Sequence, residues 1–164
     1  MRTLFLLRHA KSSWKNKDLA DFDRPLNSRG RKAADTMGAF LKRQEVSPDL
    51  ILSSPAVRAR ETIDIVLKAA KLKPEIRFDD RIYEATAARL LEVVSEVDKE
   101  TRSVLVVGHN PGLEDLLALL TGRTENMPTA AFAQIAFKIS DWSNAGTKPG
   151  ILEQLVKPKN WERA

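Results

Sequence analysis

One segment of the sequence decides the fold: SVLVVGHNPGLEDLLALLTG, residues 103–122. Its first part is a continuous apolar run, which indicates a strand buried on both faces, and its last part has apolar residues at helical spacing. Between them, Asn110 is a candidate helix cap, Pro111 suits a first helical turn, and Gly122 is placed to end the helix. The segment therefore predicts a strand, a tight turn and a helix in succession.

The alternation of strands and helices extends outward from this segment. Similar apolar runs occur at 3–7 and 49–53, and longer segments with helical periodicity separate them. AFAQIAF (131–137) and ILEQLV (151–156) alternate like strands at an antiparallel edge. We therefore predict an α/β fold, a three-layer sandwich in which a mostly parallel central sheet carries helices on both faces.

Three further helices are predicted from capping and periodicity. The first begins near the cap residue Asn27, and the second follows Pro55, which suits a first-turn position. The third covers TAARLLEVVSEVD (86–98), and residues 141–150 are predicted to form a loop between the last strands.

Length and composition indicate one globular domain over residues 1–164, with 43% hydrophobic and 30% charged residues. The chain has no cysteine, which excludes disulfides, thiolate metal sites and a cysteine nucleophile. No secretory signal or membrane-spanning apolar run is recognisable, so we expect a cytoplasmic protein without a membrane partner.

The net charge of +5 is spread along the chain, although five cations crowd one segment: Arg29, Arg31, Lys32, Lys42 and Arg43. Such a segment is more often the solvated face of a helix than a nucleic-acid site, and no nucleic-acid partner is expected. The charge indicates attraction to anionic partners.

The chain has two histidines, and both directly follow an apolar strand: His9 ends LFLLRH and His109 ends SVLVVGH. Ligands of open α/β sheets bind beyond the carboxyl ends of the strands, so both imidazoles are expected to reach one site. Arg8 precedes the first histidine, and Arg58 lies in the first turns of the helix after the strand DLILSS. These four side chains predict a compact anion pocket.

Four motifs lie in order between residues 4 and 113: LLRHA, RPLNSRG, SSPAVRARET and VGHNPGL. In these motifs the chain resembles the histidine phosphatase superfamily, the phosphoglycerate mutase-like proteins, and it is most similar to the small SixA-type phosphohistidine phosphatases. The set of four in this order is far more specific than any one motif.

The resemblance implies a role for each matching residue. His9 would be the nucleophile that takes the phosphoryl group, Arg8 and Arg58 would bind its oxygens, His109 would complete the pocket, and Ser12 would contact substrate. The chemistry of the side chains agrees, because a neutral imidazole is a competent nucleophile near pH 7 when a hydrogen bond fixes its tautomer. Guanidinium groups supply planar donors that keep their charge.

Two positions depart from the family pattern. Ala10 replaces the usual glycine after the histidine, so the backbone there must accept a methyl group. Lys15 stands where many superfamily esterases and mutases carry an asparagine, and the neighbouring Asn16 is therefore assigned no binding role.

A general acid is the least defined element of the predicted site. In ester-cleaving members a carboxylate between the second arginine and the second histidine protonates the leaving oxygen, and Asp79, Asp80 and Glu84 are the candidates here. A solvated surface acid is the favoured interpretation of each, and Glu84 is the best of the three because it follows a short apolar pair.

Other patterns favour no further chemistry. Asp21 and Asp23 have the spacing of an aspartyl phosphatase but follow no apolar strand, so a loop is predicted. No phosphate-binding glycine loop or metal-ligand spacing occurs, and neither a metal nor a cofactor is expected. Trp14 is expected either to line the mouth of the pocket or to take part in packing.

The sequence thus predicts a metal-independent phosphatase that hydrolyses protein-borne phosphohistidine through a phosphohistidine intermediate. A phosphoprotein partner is favoured because the stretch between Arg58 and His109 leaves little room for a capping lid. A small-molecule phosphomonoesterase of the same superfamily and a non-catalytic phosphate-recognition module stay open as alternatives. The physiological substrate and the oligomeric state are not predicted.

Overall fold

The computed structural model describes residues 1–161, and these form a six-stranded sheet with four α-helices. The strands are β1 (Arg2–Arg8), β2 (Leu50–Ser53), β3 (Glu75–Phe78), β4 (Ser103–Gly108), β5 (Phe132–Phe137) and β6 (Ile151–Val156). The helices are α1 (Ser28–Arg43), α2 (Val57–Ala70), α3 (Ala87–Ser95) and α4 (Gly112–Thr121).

The sheet order is β3-β2-β4-β1-β5-β6. The first four strands along the chain pair in parallel, whereas β5 pairs antiparallel with both β1 and β6. The mostly parallel sheet with an antiparallel edge is therefore confirmed. β3 was not signalled by an apolar run, because it is an edge strand whose side chains are largely exposed.

Two apolar cores lie on opposite faces of the sheet. Leu4 and Leu6 of β1 point into the core that α3 and α4 cover, whereas Phe5 and Leu7 point into the core that α1 and α2 cover. Successive side chains of a strand point to opposite faces, so a strand buried on both sides reads as a continuous apolar run. The predicted three-layer sandwich is confirmed.

The predicted helix ends are correct at some positions and wrong at others. Asn27 caps α1 by accepting a hydrogen bond from Gly30 N, and Gly122 ends α4 with a left-handed φ of 72°. Pro55 was expected in the first turn of α2, but the helix begins two residues later, at Val57.

Asn110 was expected to cap α4, and this prediction is also wrong. Pro111 occupies the cap position, while the Asn110 amide donates to Glu114 Oε2 and Met127 O, at 2.9 Å and 2.8 Å. These two hydrogen bonds orient the side chain towards the loop before β5, and Oδ1, the atom that would accept in a helix cap, has no partner within residues 1–161.

The loop 141–150 contains a short 3-10 turn at Trp142–Asn144, with Trp142 fully buried and its Nε1 donating to Thr101 O at 2.6 Å. The five cations of the basic segment are all exposed, as expected for a solvated helix face. Within residues 1–161, no helix is both long and apolar enough to cross a membrane.

Candidate active site

The register of two central strands places the two histidines side by side. Arg8 pairs with Gly108 across β1 and β4, and His9 N donates to Gly108 O at 3.1 Å. His9 and His109 leave these strands at the same level, and their ring centroids are 5.0 Å apart. The two imidazoles that the sequence placed after separate strands thus lie together at the carboxyl ends of the central strands β1 and β4.

His9 is buried, and its Nδ1 lies 2.7 Å from Ala10 O. Because a carbonyl oxygen can only accept, Nδ1 carries the proton and Nε2 keeps its lone pair. Burial foremost, and then the charges of Arg58 and Arg8, lowers the pKa of His9 to about 4 against the opposing Ala10 hydrogen bond. The imidazole is therefore neutral at pH 7, with Nε2 available for attack.

His109 is fixed through its other nitrogen. Nε2 lies 2.7 Å from Ser54 Oγ, and this hydroxyl also accepts a hydrogen bond from Ala56 N at 3.1 Å. Burial first, and then the neighbouring His9, lowers the pKa of His109 to about 3. Its Nδ1 is buried and has no hydrogen-bond partner within residues 1–161. Sequence reasoning missed Ser54, whose signal is its place at the end of the apolar run before Pro55.

Two arginines border the imidazoles. Arg58, in the first turn of α2, is buried, and Arg8 is half-buried at the end of β1, where its Nη1 donates to Met127 O at 3.2 Å. The Nε atoms of both are buried without a partner in the described chain. Buried donors normally have partners, so these atoms indicate a site that an anion completes.

Asp21 links two arginines of the site, Arg58 and Arg24. Its carboxylate accepts from Arg24 Nη2 and Arg58 Nη2, each at 3.0 Å, and from the Tyr83 hydroxyl at 2.5 Å. These hydrogen bonds, that from Tyr83 foremost, hold the pKa of Asp21 below its usual range. The predicted loop is confirmed as a 3-10 turn at Asp21–Asp23, but sequence reasoning missed that it lies in the site. A signal was available in the position of Asp21 three residues before Arg24.

Arg24 is the third site residue that sequence reasoning missed, after Ser54 and Asp21. It is buried and donates to Ser12 Oγ. The hydroxyl of Ser12 is therefore joined to the site by its hydrogen bond with Arg24. Its guanidinium is 3.6 Å from the centroid of the exposed Trp14 ring, and its charge helps to lower the pKa of His9. Trp14 therefore packs on a site arginine at the edge of the pocket.

The three candidate acids lie in different surroundings. Asp79 accepts hydrogen bonds from Arg81, which keep its pKa below the usual range, so this carboxyl is a poor proton donor. Asp80 and Glu84 are exposed. Glu84, with a left-handed φ of 51°, directly follows Tyr83, whose ring meets His109 edge-on at 5.4 Å. It is thus the candidate nearest in sequence to a residue of the site.

Close backbone contacts hold the loops of the site. A Cβ on Gly30 would lie 2.0 Å from Lys11 O, so the first turn of α1 packs directly on the segment after His9. Ala10 itself is fully buried, and its N donates to Thr62 Oγ1 at 2.9 Å. The methyl group that departs from the family pattern is therefore accommodated in the core beneath α2.

Residues 1–161 contain no group of three or more His, Asp or Glu side chains that could hold a metal ion. The site consists instead of two neutral imidazoles, one with a free Nε2, surrounded by guanidinium groups with unpartnered donors. This arrangement at the strand ends of a three-layer α/β protein suits the binding of an oxyanion, and it includes a candidate nucleophile. The chain belongs to the histidine phosphatase superfamily (branch 1), whose family model matches residues 4–86.

Similar proteins support this membership. The chain is 34% identical to a phosphohistidine phosphatase SixA homologue of Haemophilus influenzae, over 94% of this chain and 96% of that protein. A solved structure of a protein histidine phosphatase SixA complexed with tungstate matches with a TM-score of 0.80 and 27% identity, covering 98% and 99% of the two chains. A candidate SixA from Agrobacterium tumefaciens matches with a TM-score of 0.83 and 30% identity, covering 96% and 98%.

Proposed function

We propose that this protein hydrolyses phosphohistidine on other proteins through a covalent phosphohistidine on His9, without a metal ion. The observation that carries the proposal is the hydrogen bond from His9 Nδ1 to Ala10 O, because it leaves Nε2 unprotonated beside the guanidinium groups. The SixA relatives, one of them holding the tetrahedral oxyanion tungstate, support the same chemistry.

In the first step, the lone pair of His9 Nε2 forms a bond to phosphorus. The bond from phosphorus to the substrate nitrogen breaks, and its electron pair returns to that nitrogen. The substrate ring is protonated on its other nitrogen before the bond breaks, so it leaves as neutral imidazole. Arg8 and Arg58 donate to the phosphoryl oxygens, whose charge they stabilise through preorganised hydrogen bonds.

In the second step, water attacks the phosphorus of the phosphorylated His9. A P–O bond forms, the bond to Nε2 breaks and returns its electron pair to the ring, and the water proton passes to solvent. Inorganic phosphate leaves, and the neutral imidazole is restored with its proton on Nδ1. The Ala10 carbonyl accepts the same hydrogen bond throughout, which fixes the ring orientation in both steps.

A protein substrate is supported by the shape of the chain around the site. Between Arg58 and His109 lie only the rest of α2, β3, a short 3-10 turn, α3 and β4, all of them parts of the sandwich. Without a lid built from this segment, a side chain that projects from another folded protein can reach Nε2.

The experiment that tests the proposal is a chemical quench during turnover with labelled substrate. We expect a phosphoryl label on the protein that is lost in acid and stable in alkali, as a phosphoramidate is, and no label on H9A. Activity is expected to survive exhaustive treatment with EDTA. A label that resists acid, or that persists in H9A, would contradict the nucleophile, and activity that Mg²⁺ restores after chelation would contradict metal independence.

A small-molecule phosphomonoesterase is the second candidate, and the exposed Glu84 beside Tyr83 is the observation in its favour. Alkyl esters expel a strongly basic alkoxide, which requires a positioned acid, whereas protonated phosphohistidine does not. Parallel assays with a phosphohistidine protein and a panel of sugar and aryl phosphates separate the two candidates. Turnover of an aryl phosphate also excludes a non-catalytic recognition module.

A further inference from the structure

A cleft of about 510 Å³ opens beside the phosphoryl site, and its walls carry five cations. They come from three separate parts of the chain: Arg8 at the end of β1 with Lys11 just after it, Arg29 in the first turn of α1, and Lys157 and Lys159 after β6. We refer to this feature as the basic cleft.

The charge of the basic cleft is not balanced by the protein around it. None of its five cations forms an ion pair with a carboxylate of residues 1–161. Glu114 is the one carboxylate among the lining residues, and its Oε2 accepts from Asn110 Nδ2 and Met127 N, at 2.9 Å and 2.7 Å, so a single negative charge stands against five positive ones. The ligand that fits this surface is therefore anionic.

The basic cleft is continuous with the phosphoryl site because Arg8 belongs to both. The Arg8 backbone directly precedes His9, while its side chain lines the cleft and donates to Met127 O. A group in the cleft is thus next to the phosphoryl group that His9 attacks. This position suits a part of the substrate itself better than an independent ligand.

Exposure of the walls favours a protein substrate over a small molecule. Lys11, Arg29 and Lys159 are exposed, as are Asn126 and Pro128, which also line the cleft. Small-molecule sites typically bury most of the ligand surface, whereas an open cleft lets a polypeptide enter and leave at its ends. The partly exposed Ala33 and the exposed Pro128 offer apolar contact for the stems of acidic residues.

We infer that the basic cleft binds acidic side chains that flank the phosphorylated histidine of the substrate protein. This inference rests on the proposed function and deepens it, because it gives the enzyme a preference among phosphohistidine proteins. Charge complementarity of this kind mainly raises association rates and selects partners. It is therefore expected to act on KM and on salt dependence, with little effect on kcat.

The test compares two histidine peptides, phosphorylated chemically with phosphoramidate and flanked either by glutamates or by glutamines. The cleft variant combines R29Q with K157Q. The matched control combines R31Q with K32Q, which removes the same charge from exposed positions of α1 that do not line the cleft. p-Nitrophenyl phosphate serves as a small substrate that does not reach the cleft.

We expect the unmodified enzyme to prefer the acidic peptide by on the order of tenfold in kcat/KM, because two surface charge pairs each contribute a modest attraction. The cleft variant should lose this preference through KM, and its turnover of p-nitrophenyl phosphate should stay within about twofold of the parent. The control variant should keep the preference. No preference in the parent, or equal losses in both variants, would overturn the inference.

The proposed phosphatase function and the proposed role of the basic cleft are distinguished by a further assay. It tests unphosphorylated acidic peptide as a competitive inhibitor of p-nitrophenyl phosphate turnover. If neither phosphopeptide is hydrolysed, the proposed function fails, but inhibition that the cleft variant alone weakens still supports the cleft. Citrate supplies the last comparison. If it inhibits as strongly as the peptide and loses its effect in the same variant, the cleft takes a small polyanion, and the assignment of a protein segment is overturned.

Discussion

The carboxyl ends of β1 and β4 are equivalent in position but opposite in how they hold their imidazoles. At the end of β1, a backbone carbonyl fixes His9 through Nδ1, so that Nε2 is free. At the end of β4, the hydroxyl of Ser54 fixes His109 through Nε2, so that Nδ1 is the nitrogen without a partner. Both rings are buried, and in both burial lowers the pKa well below that of a solvated imidazole.

This difference shows how two copies of one residue type are given separate tasks. A carbonyl can only accept, so it determines the tautomer of His9 and leaves Nε2 the lone pair that the proposed nucleophile needs. A hydroxyl can donate or accept, so His109 can present either a proton or a lone pair at its other nitrogen. The first arrangement suits bond formation to phosphorus, and the second suits a hydrogen bond to an oxygen whose protonation changes during the reaction.

The largest expected effect follows from removing each ring in turn. H9A should lower aryl phosphate turnover on the order of 10⁴-fold or more, as loss of a nucleophile does, whereas H109A should lower it on the order of hundreds-fold, as loss of one oxyanion donor does. Steady-state kinetics and quench labelling of both variants measure this. Equal losses, or a trapped label in H9A but not in H109A, would reverse the assignment of the two strand ends.

The charge of Arg58 helps to lower the pKa of both imidazoles, so its removal should affect the whole site. We expect R58A to lower kcat/KM on the order of hundreds-fold, because a buried, preorganised donor to the phosphoryl oxygens is lost. R60A is the matched control, since Arg60 lies on the same helix but is exposed and packs on Phe78. Unfolding curves of both variants separate lost catalysis from lost stability. A similar loss in R60A would argue against a specific role.

The pH dependence sharpens the comparison further. An imidazole loses its lone pair as the pH falls through its pKa, so activity should decline only near the lowered pKa of His9, about 4, instead of near 6.5. At pH 5.5 an unperturbed nucleophile would be about tenfold less active than at pH 7.5, whereas this enzyme should lose less than about twofold. The profile of kcat/KM, corrected for substrate ionisation, measures this, and an acid limb near 6.5 would contradict it.

A smaller effect should come from the Ser54 hydroxyl, which contacts His109 at the end of β4. S54A removes the partner of His109 Nε2 and leaves the His9 contact intact, so kcat should fall by about tenfold while the trapped intermediate still forms. S53A is the control, because the Ser53 hydroxyl donates to Ser54 O and touches neither ring. If S54A behaves like the parent in a rapid-quench experiment, orientation of His109 by Ser54 is unimportant.

The smallest expected effect concerns Glu84. Because protonated phosphohistidine leaves as neutral imidazole, E84Q should hydrolyse a phosphohistidine protein within about tenfold of the parent, a change of roughly 1.4 kcal/mol in barrier. D79N and D80N are expected to behave in the same way. If the parent cleaves an alkyl phosphate efficiently and E84Q does not, the small-molecule phosphomonoesterase is favoured instead.

The predictable part of this protein lies in its periodic segments. β1 and β4 were predicted because both faces of each strand are buried, and Asn27 was found because a helix cap is a local interaction. β3 was not located from the sequence, because an exposed edge strand has no continuous apolar run. Asn110 was wrongly predicted to cap α4 because its Nδ2 donates to Met127 O, 17 residues away, which orients the side chain so that Oδ1 has no partner among residues 1–161. No local pattern records that contact.

The sequence by itself determined which residues follow the strands, and hence that Arg8, His9 and His109 would lie together at the carboxyl ends of the strands. Only the tertiary structure decided which nitrogen of each ring is free, since Ser54 meets His109 across 55 positions. It also decided that Asp21 joins Arg24 to Arg58, which lies 37 positions further along the chain. The physical reason is that periodicity reports burial within one segment, whereas hydrogen-bond partners from distant segments depend on how the whole chain packs.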